Sequence, residues 1–201
     1  AAGAVTALAG TDGRLRCPWA LASDDYLAYH DTEWGRPVHG ESALFERLCL
    51  EGFQSGLSWI TILRKRDAFR EAFSGFDPHK VAAFGEAEVE SLMGDAGIAR
   101  NEAKIRATIG NARALLARPD GESLGALPER HRPPGKPAPQ TLADVPAETT
   151  ESRSLSRELR RHGFRFVGPV TAYAMLQATG YVNDHLAGCE FRRPSQPRRN
   201  A

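Results

Sequence analysis

The sequence predicts an all-α fold built from short helices. Three observations carry this. Apolar residues recur at helical spacing in one segment after another. Strict apolar–polar alternation is scarce. Helix start signals stand ahead of the periodic runs. A chain of 201 residues is one domain, or two small helical lobes with a pocket between them, with ample length to bury a core.

Taken in order, residues 1–13 are small and weakly apolar, and the first basic residue is Arg14. Without a basic n-region this stretch reads as a disordered leader, not a signal peptide. Residues 14–191 form the folded domain. Ser42 caps a predicted helix through Leu44, Phe45, Leu48 and Cys49 to Gly52. Ser58 caps the next, with Ile60, Ile62, Leu63, Phe69 and Phe73 on its apolar side. Pro78 suits the first turn of a short helix bearing Val81 and Phe84. Glu88 to Gly94 carries Val89, Leu92 and Met93. Asn101 to Arg118 carries Ile105, Ile109, Ala112 and Leu116 at helical spacing. Pro128 to Pro139 is too rich in proline for a regular element and reads as a surface loop. Helix resumes over Ser154–His162 and Pro169–Thr179. Residues 192–201 are rich in Arg, Pro and Ser and predict a disordered tail.

Composition bounds the function. Lys and Arg number 26 against 25 Asp and Glu, so any nucleic-acid contact must come from a local patch and not from a global basic field. A hydrophobic content of 41% and a charged content of 25% are ordinary for a soluble globular protein. No apolar run approaches a membrane span. Cys17, Cys49 and Cys189 are odd in number and widely spaced, which argues for a reducing compartment and no disulfide framework.

Three features carry chemistry. All three tryptophans and two of the four tyrosines fall between Trp19 and Trp59, with Glu51 among them. Large flat rings beside a carboxylate suit a flat, electron-poor or cationic ligand, and equally an ordinary aromatic core. Residues 92–101 predict a glycine-containing hairpin between two amphipathic helices. Its backbone N–H groups and the next helix N-terminus could face a phosphate. A plain helix–helix turn has the same pattern. Finally, His185 and Cys189 are four apart, on one side if helical, and Cys17 and His30 lie near the other end of the chain. Together they make a Cys₂His₂ donor set suited to structural zinc, beside the plainer reading of two buried thiols and two unrelated histidines. Cys49 reads as core.

Several stretches resemble the 3-methyladenine DNA glycosylase I family of bacterial base-excision repair, from about Arg16 to Cys189. They are Cys17-Pro18-Trp19, residues 29–35 (YHDTEWG), residues 50–59 (LEGFQSGLSW), Gly110-Asn111-Ala112-Arg113, residues 163–168 (GFRFVG) and Val182-Asn183-Asp184-His185. The resemblance implies a helix-hairpin-helix DNA glycosylase-like fold. It also implies a zinc clasp of Cys17, His30, His185 and Cys189 that joins the N- and C-terminal segments, with one structural zinc per chain. Its base pocket falls on Glu51, Tyr29, Trp34 and Trp59, with Trp19 and Tyr26 nearby and Glu51 as the decisive carboxylate. The expected partner is double-stranded DNA carrying alkylated bases. The expected protein is a monomer of the bacterial cytoplasm. One stretch departs: residues 124–132 carry no aromatic where relatives tend to.

On this reading the enzyme flips 3-methyladenine out of the duplex and hydrolyses its N-glycosidic bond. The turn Gln54-Ser55-Gly56-Leu57 would plug the gap, with Gly56 close to DNA and Leu57 as a wedge. Backbone contacts would come from Gly97, Ile98 and Ala99, from Arg100 and Lys104, and from Arg64 and Lys65. No lysine stands beside the aromatic clusters in sequence, which predicts a monofunctional enzyme without lyase activity. Asp184 is expected to position His185. The alternatives are an alkylation glycosylase of different base scope, or a zinc-stapled damaged-DNA-binding module without catalysis.

Overall fold

The computed structural model describes residues 5–119 and 121–192. The chain is mostly helical. Its helices are α1 (Asp24–Thr32), α2 (Glu41–Gln54), α3 (Trp59–Ala72), α4 (Pro78–Ala82), α5 (Glu86–Gly94), α6 (Glu102–Leu116), α7 (Ala126–Arg130), α8 (Thr150–Arg161) and α9 (Pro169–Ala178). Two short strands, β1 (Leu8–Ala9) and β2 (Leu15–Arg16), pair antiparallel. No helix among the described residues is long and apolar enough to cross a membrane.

The α2 helix is central. It packs on α3, α6 and α9, while α6 also lies against α4 and α5, and α8 against α9. Phe45, Leu48, Leu50 and Phe53 from α2 meet Ile62 and Phe69 of α3, Ile105 of α6 and Tyr173 of α9 in one buried core. A run of rings, Phe53, Phe69, Phe73 and Phe84, continues it, with successive centroids 4.7, 6.4 and 6.3 Å apart. A smaller cluster of Cys17, Leu186 and Cys189 packs with Trp19, Trp34, Val145 and Phe191.

Several expectations are corrected. The leader over residues 5–13 is structured, because Arg16 holds it. Its buried guanidinium grips Asp12 at 2.7 Å and Asp31 at 2.9 Å, closing the β1–β2 hairpin onto α1. Residues 1–4 and the predicted tail from 193 onward lie outside the described residues. Ser42 sits inside α2, and Gly40 takes the cap position. Ser58 does cap α3 in position, but its hydroxyl pairs with that of Thr61 at 2.8 Å instead of with backbone. The short α7 enters the predicted proline loop. Pro128 falls in its first turn, where a missing N–H costs no intrahelical bond. Leu124 and Leu127 are fully buried there, so aliphatic side chains fill the stretch that lacks aromatics.

Candidate active site

The α1 helix carries the first wall of the site. Ser23 caps it by accepting from the Tyr26 N–H at 3.2 Å, and Asp24 and Asp25 favour its N-terminus. Tyr26, Tyr29 and His30, at i, i+3 and i+4, share the inward face of this helix. A 3₁₀ turn over Pro18–Ala22 brings Trp19 beside them. Trp19 stands edge-on to Trp34 at 5.1 Å and to Tyr26 at 5.7 Å, and Tyr29 tilts against Trp59 at 5.6 Å. The Tyr26 hydroxyl accepts from the Ile60 N–H at 2.9 Å, which ties α1 to the start of α3. Together these rings line a cavity of about 450 Å³ with Glu51 and Gln54 of α2. Gln177 and Ala174 of α9, Leu142, Val145 and Asp184 close the other side. The structure thus brings together all five aromatic residues and the carboxylate singled out in the sequence. The Trp59 indole N–H is buried there with no hydrogen-bond partner among the described residues.

Glu51 is 5% exposed, and no protein group among the described residues donates a hydrogen bond to it. Burial pushes its carboxyl up to about 8, against the opposing pull of Arg47 one turn earlier. Burial, and then Glu51 itself, also raises the Tyr29 phenol, which stays a neutral donor. Behind them Glu33 bridges Arg66 at 2.7 Å and Arg47 at 2.8 Å. Burial alone would raise Glu33, but these two guanidinium groups outweigh it and hold the carboxyl at about 2.

The thiol and imidazole groups converge at the far side of Trp19 and Trp34. Ligand atoms of Cys17, His30 and Cys189 lie within 4.8 Å of one another, with Cys189 Sγ 3.5 Å from His30 Nε2. The Asp31 carboxylate takes His30 Nδ1 at 2.8 Å, which leaves Nε2 facing the sulfurs. His185 stands outside that group of three. Its ring centroid is 4.7 Å from that of His30, Asn183 holds its Nδ1 at 3.1 Å, and its buried Nε2 has no hydrogen-bond partner among the described residues. The thiol and imidazole donors of Cys17, His30 and Cys189 are of the kind that holds a tetrahedral metal, and the unpartnered His185 Nε2 lies outside that group of three. The segment holding His185 and Cys189 is an irregular turn, not the helix expected from their spacing.

The DNA-facing candidates divide. Ser55, Gly56, Leu57 and Ser58 are all exposed on the α2–α3 turn, and Gly56 has a φ of 80° that a side chain would strain. In the α5–α6 hairpin, Gly97 donates to the Asp95 side chain at 2.7 Å. A Cβ on Gly97 would come within 3.0 Å of Ala68 on α3 and 2.9 Å of the Asp95 carboxylate, so a side chain there would crowd this approach. Ile98 is buried and anchors the hairpin, and Arg100 is exposed on it. Lys104 is a correction. It is buried, and its ammonium donates to the Phe53 carbonyl at 2.8 Å and to the Ser55 carbonyl. Lys65 likewise caps the hairpin carbonyls of Ala96 and Gly97, and Arg64 pairs with Asp25 at 2.8 Å.

Asp184 also departs from expectation. Its carboxylate accepts from the Tyr173 hydroxyl at 2.5 Å and the Gln177 amide at 2.9 Å, and pairs with Lys136 at 2.7 Å. It makes no bond to the His185 ring and instead forms part of the cavity wall. Lys136 arrives from the proline-rich loop, so its place beside the pocket leaves no trace in the order of residues.

Fold and cavity define a helical protein with a cavity walled by aromatic side chains and a buried carboxyl. The chain belongs to the methyladenine glycosylase family, whose model matches residues 19–193. It is 48% identical over 178 residues to DNA-3-methyladenine glycosylase 1 of Escherichia coli (strain K12), covering 87% of this chain and 95% of that one. A crystal structure of 3-methyladenine DNA glycosylase I matches with a TM-score of 0.85 at 43% identity, covering 89% of this chain and 100% of the other. The Staphylococcus aureus enzyme, solved to explain 3-methyladenine recognition, matches with a TM-score of 0.83 at 32% identity, covering 90% of this chain and 98% of the other.

Proposed function

We propose that this chain excises 3-methyladenine from alkylated double-stranded DNA by hydrolysing the N-glycosidic bond, with the flipped base seated against Glu51. The observation that carries this reading is a buried carboxyl without a protein donor, opening onto a cavity walled by Trp19, Trp34, Trp59, Tyr26 and Tyr29. Methylation at N3 makes the attached adenine formally cationic. Aromatic faces attract such a ring by about 0.5–2 kcal/mol per good contact. A cation beside Glu51 also lowers the carboxyl's pKa, so the group ionises as the damaged base enters. A neutral adenine gives no such return. The carboxylate then accepts from the exocyclic amine, while Tyr29 and the Trp59 indole N–H offer donors to ring nitrogens.

Bond cleavage asks little more. The methylated base leaves as a neutral molecule, so no strong general acid is needed, and water completes the reaction at the sugar carbon. The exposed Ser55-Gly56-Leu57 turn supports a plug for the vacated stack, with Leu57 as its wedge. Within the hairpin the Gly97 N–H is taken by Asp95, so the phosphate contact of the helix-hairpin-helix kind falls to the exposed Arg100 beside it. A zinc ion held by Cys17, His30, Cys189 and His185 would cross-link the chain's two ends. With four protein ligands it would supply no chemistry. A monomer in the bacterial cytoplasm completes the reading.

The test is base release from methylated DNA by the wild type beside Glu51→Gln. Release of 3-methyladenine by the wild type and its loss in the variant are expected. Strong release of 7-methylguanine would sink the assigned base scope.

A further inference from the structure

Two of the sequence motifs take no part in the pocket: residues 110–113 on α6 and residues 163–168 between α8 and α9. In the fold they meet. Asn111, buried on α6, donates to the Arg165 carbonyl at 3.1 Å and accepts from the Arg165 N–H at 2.8 Å. This two-bond grip fixes one residue of an irregular loop. The residue after it, Phe166, has a φ of 54°, which is an outlier for a bulky side chain. Its neighbours Phe164 and Val167 are buried, yet Phe166 is 39% exposed. The loop is anchored by its flanking apolar residues and turns this one ring outward.

Position and charge say what the ring meets. The Phe166 carbonyl would lie 3.2 Å from a Cβ on Gly52, in the last turn of α2 just ahead of the exposed Ser55–Ser58 turn. Lys104 lines a small crevice together with Arg165 and Phe166, and it also binds the Phe53 and Ser55 carbonyls. Loop and turn thus share one rigid frame. Arg153 on α8 is paired with Glu148, whereas Arg160, Arg161 and Arg165 have no carboxylate partner among the described residues. Arg165 lies beyond the end of α8, so the helix dipole does not account for it. A fixed, exposed ring beside an uncompensated guanidinium matches a nucleic-acid backbone with unstacked or groove-lining surface.

We propose that Arg165 and Phe166 form a second DNA contact outside the base pocket, with Phe166 packing on the duplex beside the Leu57 turn and Arg165 on a phosphate. The inference rests on the reading that this chain acts on duplex DNA. The test uses the full chain and a duplex carrying a tetrahydrofuran abasic analogue, followed by fluorescence anisotropy from about 50 to 200 mM salt. Phe166→Asn keeps a residue that tolerates positive φ and removes the ring. It is expected to weaken duplex binding roughly tenfold without changing the salt slope. Phe166→Tyr should bind like the wild type. Arg165→Ala should weaken binding and reduce the salt slope by about 0.9. Binding of free 3-methyladenine, read by tryptophan fluorescence, should be unchanged in all three. Duplex binding unaltered in Phe166→Asn and Arg165→Ala, or equal loss in the Asn and Tyr variants, overturns this proposal while base release by the wild type keeps the parent reading intact. A wild type that releases no base overturns both.

Discussion

The Lys104 ammonium donates to the Phe53 carbonyl at 2.8 Å from inside the protein. A lysine in the first turn of a helix behind a hairpin invites assignment to a phosphate. Here it closes the C-terminus of α2, where backbone carbonyls lack intrahelical partners and the helix dipole is negative. Its work is to hold the turn that bears Leu57.

Lys104→Met is therefore expected to lower stability by about 1.5–3 kcal/mol, the worth of charged hydrogen bonds lost at a buried site. Urea unfolding reads this. The slope of duplex affinity against salt should stay as in the wild type. Unchanged stability with a slope reduced by about one would return Lys104 to the phosphate role.

Glu51 should leave two pH signatures. Its folded value of about 8 lies above the ordinary 4.5, so the folded chain binds this proton more tightly than the unfolded chain. Its contribution to stability is full below about pH 4.5 and is lost as pH rises through about 8. Glu51→Gln mimics the protonated form. It should match the wild type near pH 4 and exceed it by on the order of 5 kcal/mol above pH 8, in denaturant titrations. For the wild type, kcat/KM should rise with pH up to about 8 as the free carboxyl ionises. The variant should lose that rise and roughly a hundredfold in rate. A flat wild-type profile would remove Glu51 from the rate law.

The metal reading predicts roughly one zinc per chain in reduced protein, by elemental analysis. Cys17→Ser and His30→Ala should each bind less than the wild type and melt at lower temperature. Cobalt substitution should give the visible band of a thiolate-ligated tetrahedral ion. Metal-free wild type with an undiminished melting temperature excludes the clasp.

Lys136 reaches the pocket wall, but its ammonium is held by Asp184 at 2.7 Å. A monofunctional course then predicts that borohydride traps no covalent protein–DNA adduct during turnover, and that Lys136→Gln still releases base. A trapped adduct that disappears in Lys136→Gln would make this a lyase.

The helices of the core were legible because burial on one side imposes a period on the sequence, as in α2, α3 and α6. The α1 helix was not predicted, since its inward residues are Tyr26, Tyr29 and His30, chosen for the site and not for an apolar stripe. The aromatic walls and Glu51 could be listed from their crowding and from family likeness, but neither shows which backbone groups a long side chain can reach. Lys104, Lys136 and Arg16 all depend on such reach, across loops distant in sequence. The spacing of His185 and Cys189 suggested a helix because two residues four apart satisfy that period by chance. The leader looked featureless because its order comes from Arg16 binding Asp12 and Asp31, not from its own apolar content.

A carboxyl that burial pushes up to about 8 has a consequence for search. A repair protein meets undamaged adenines in overwhelming excess, and a permanently charged pocket would attract water, metal ions and stray cations between encounters. With its proton in place Glu51 is electrically silent, and only a base that brings its own positive charge switches it on. On this reading discrimination is made at the moment of arrival, through one proton given up, and normal sequence is passed over without being held.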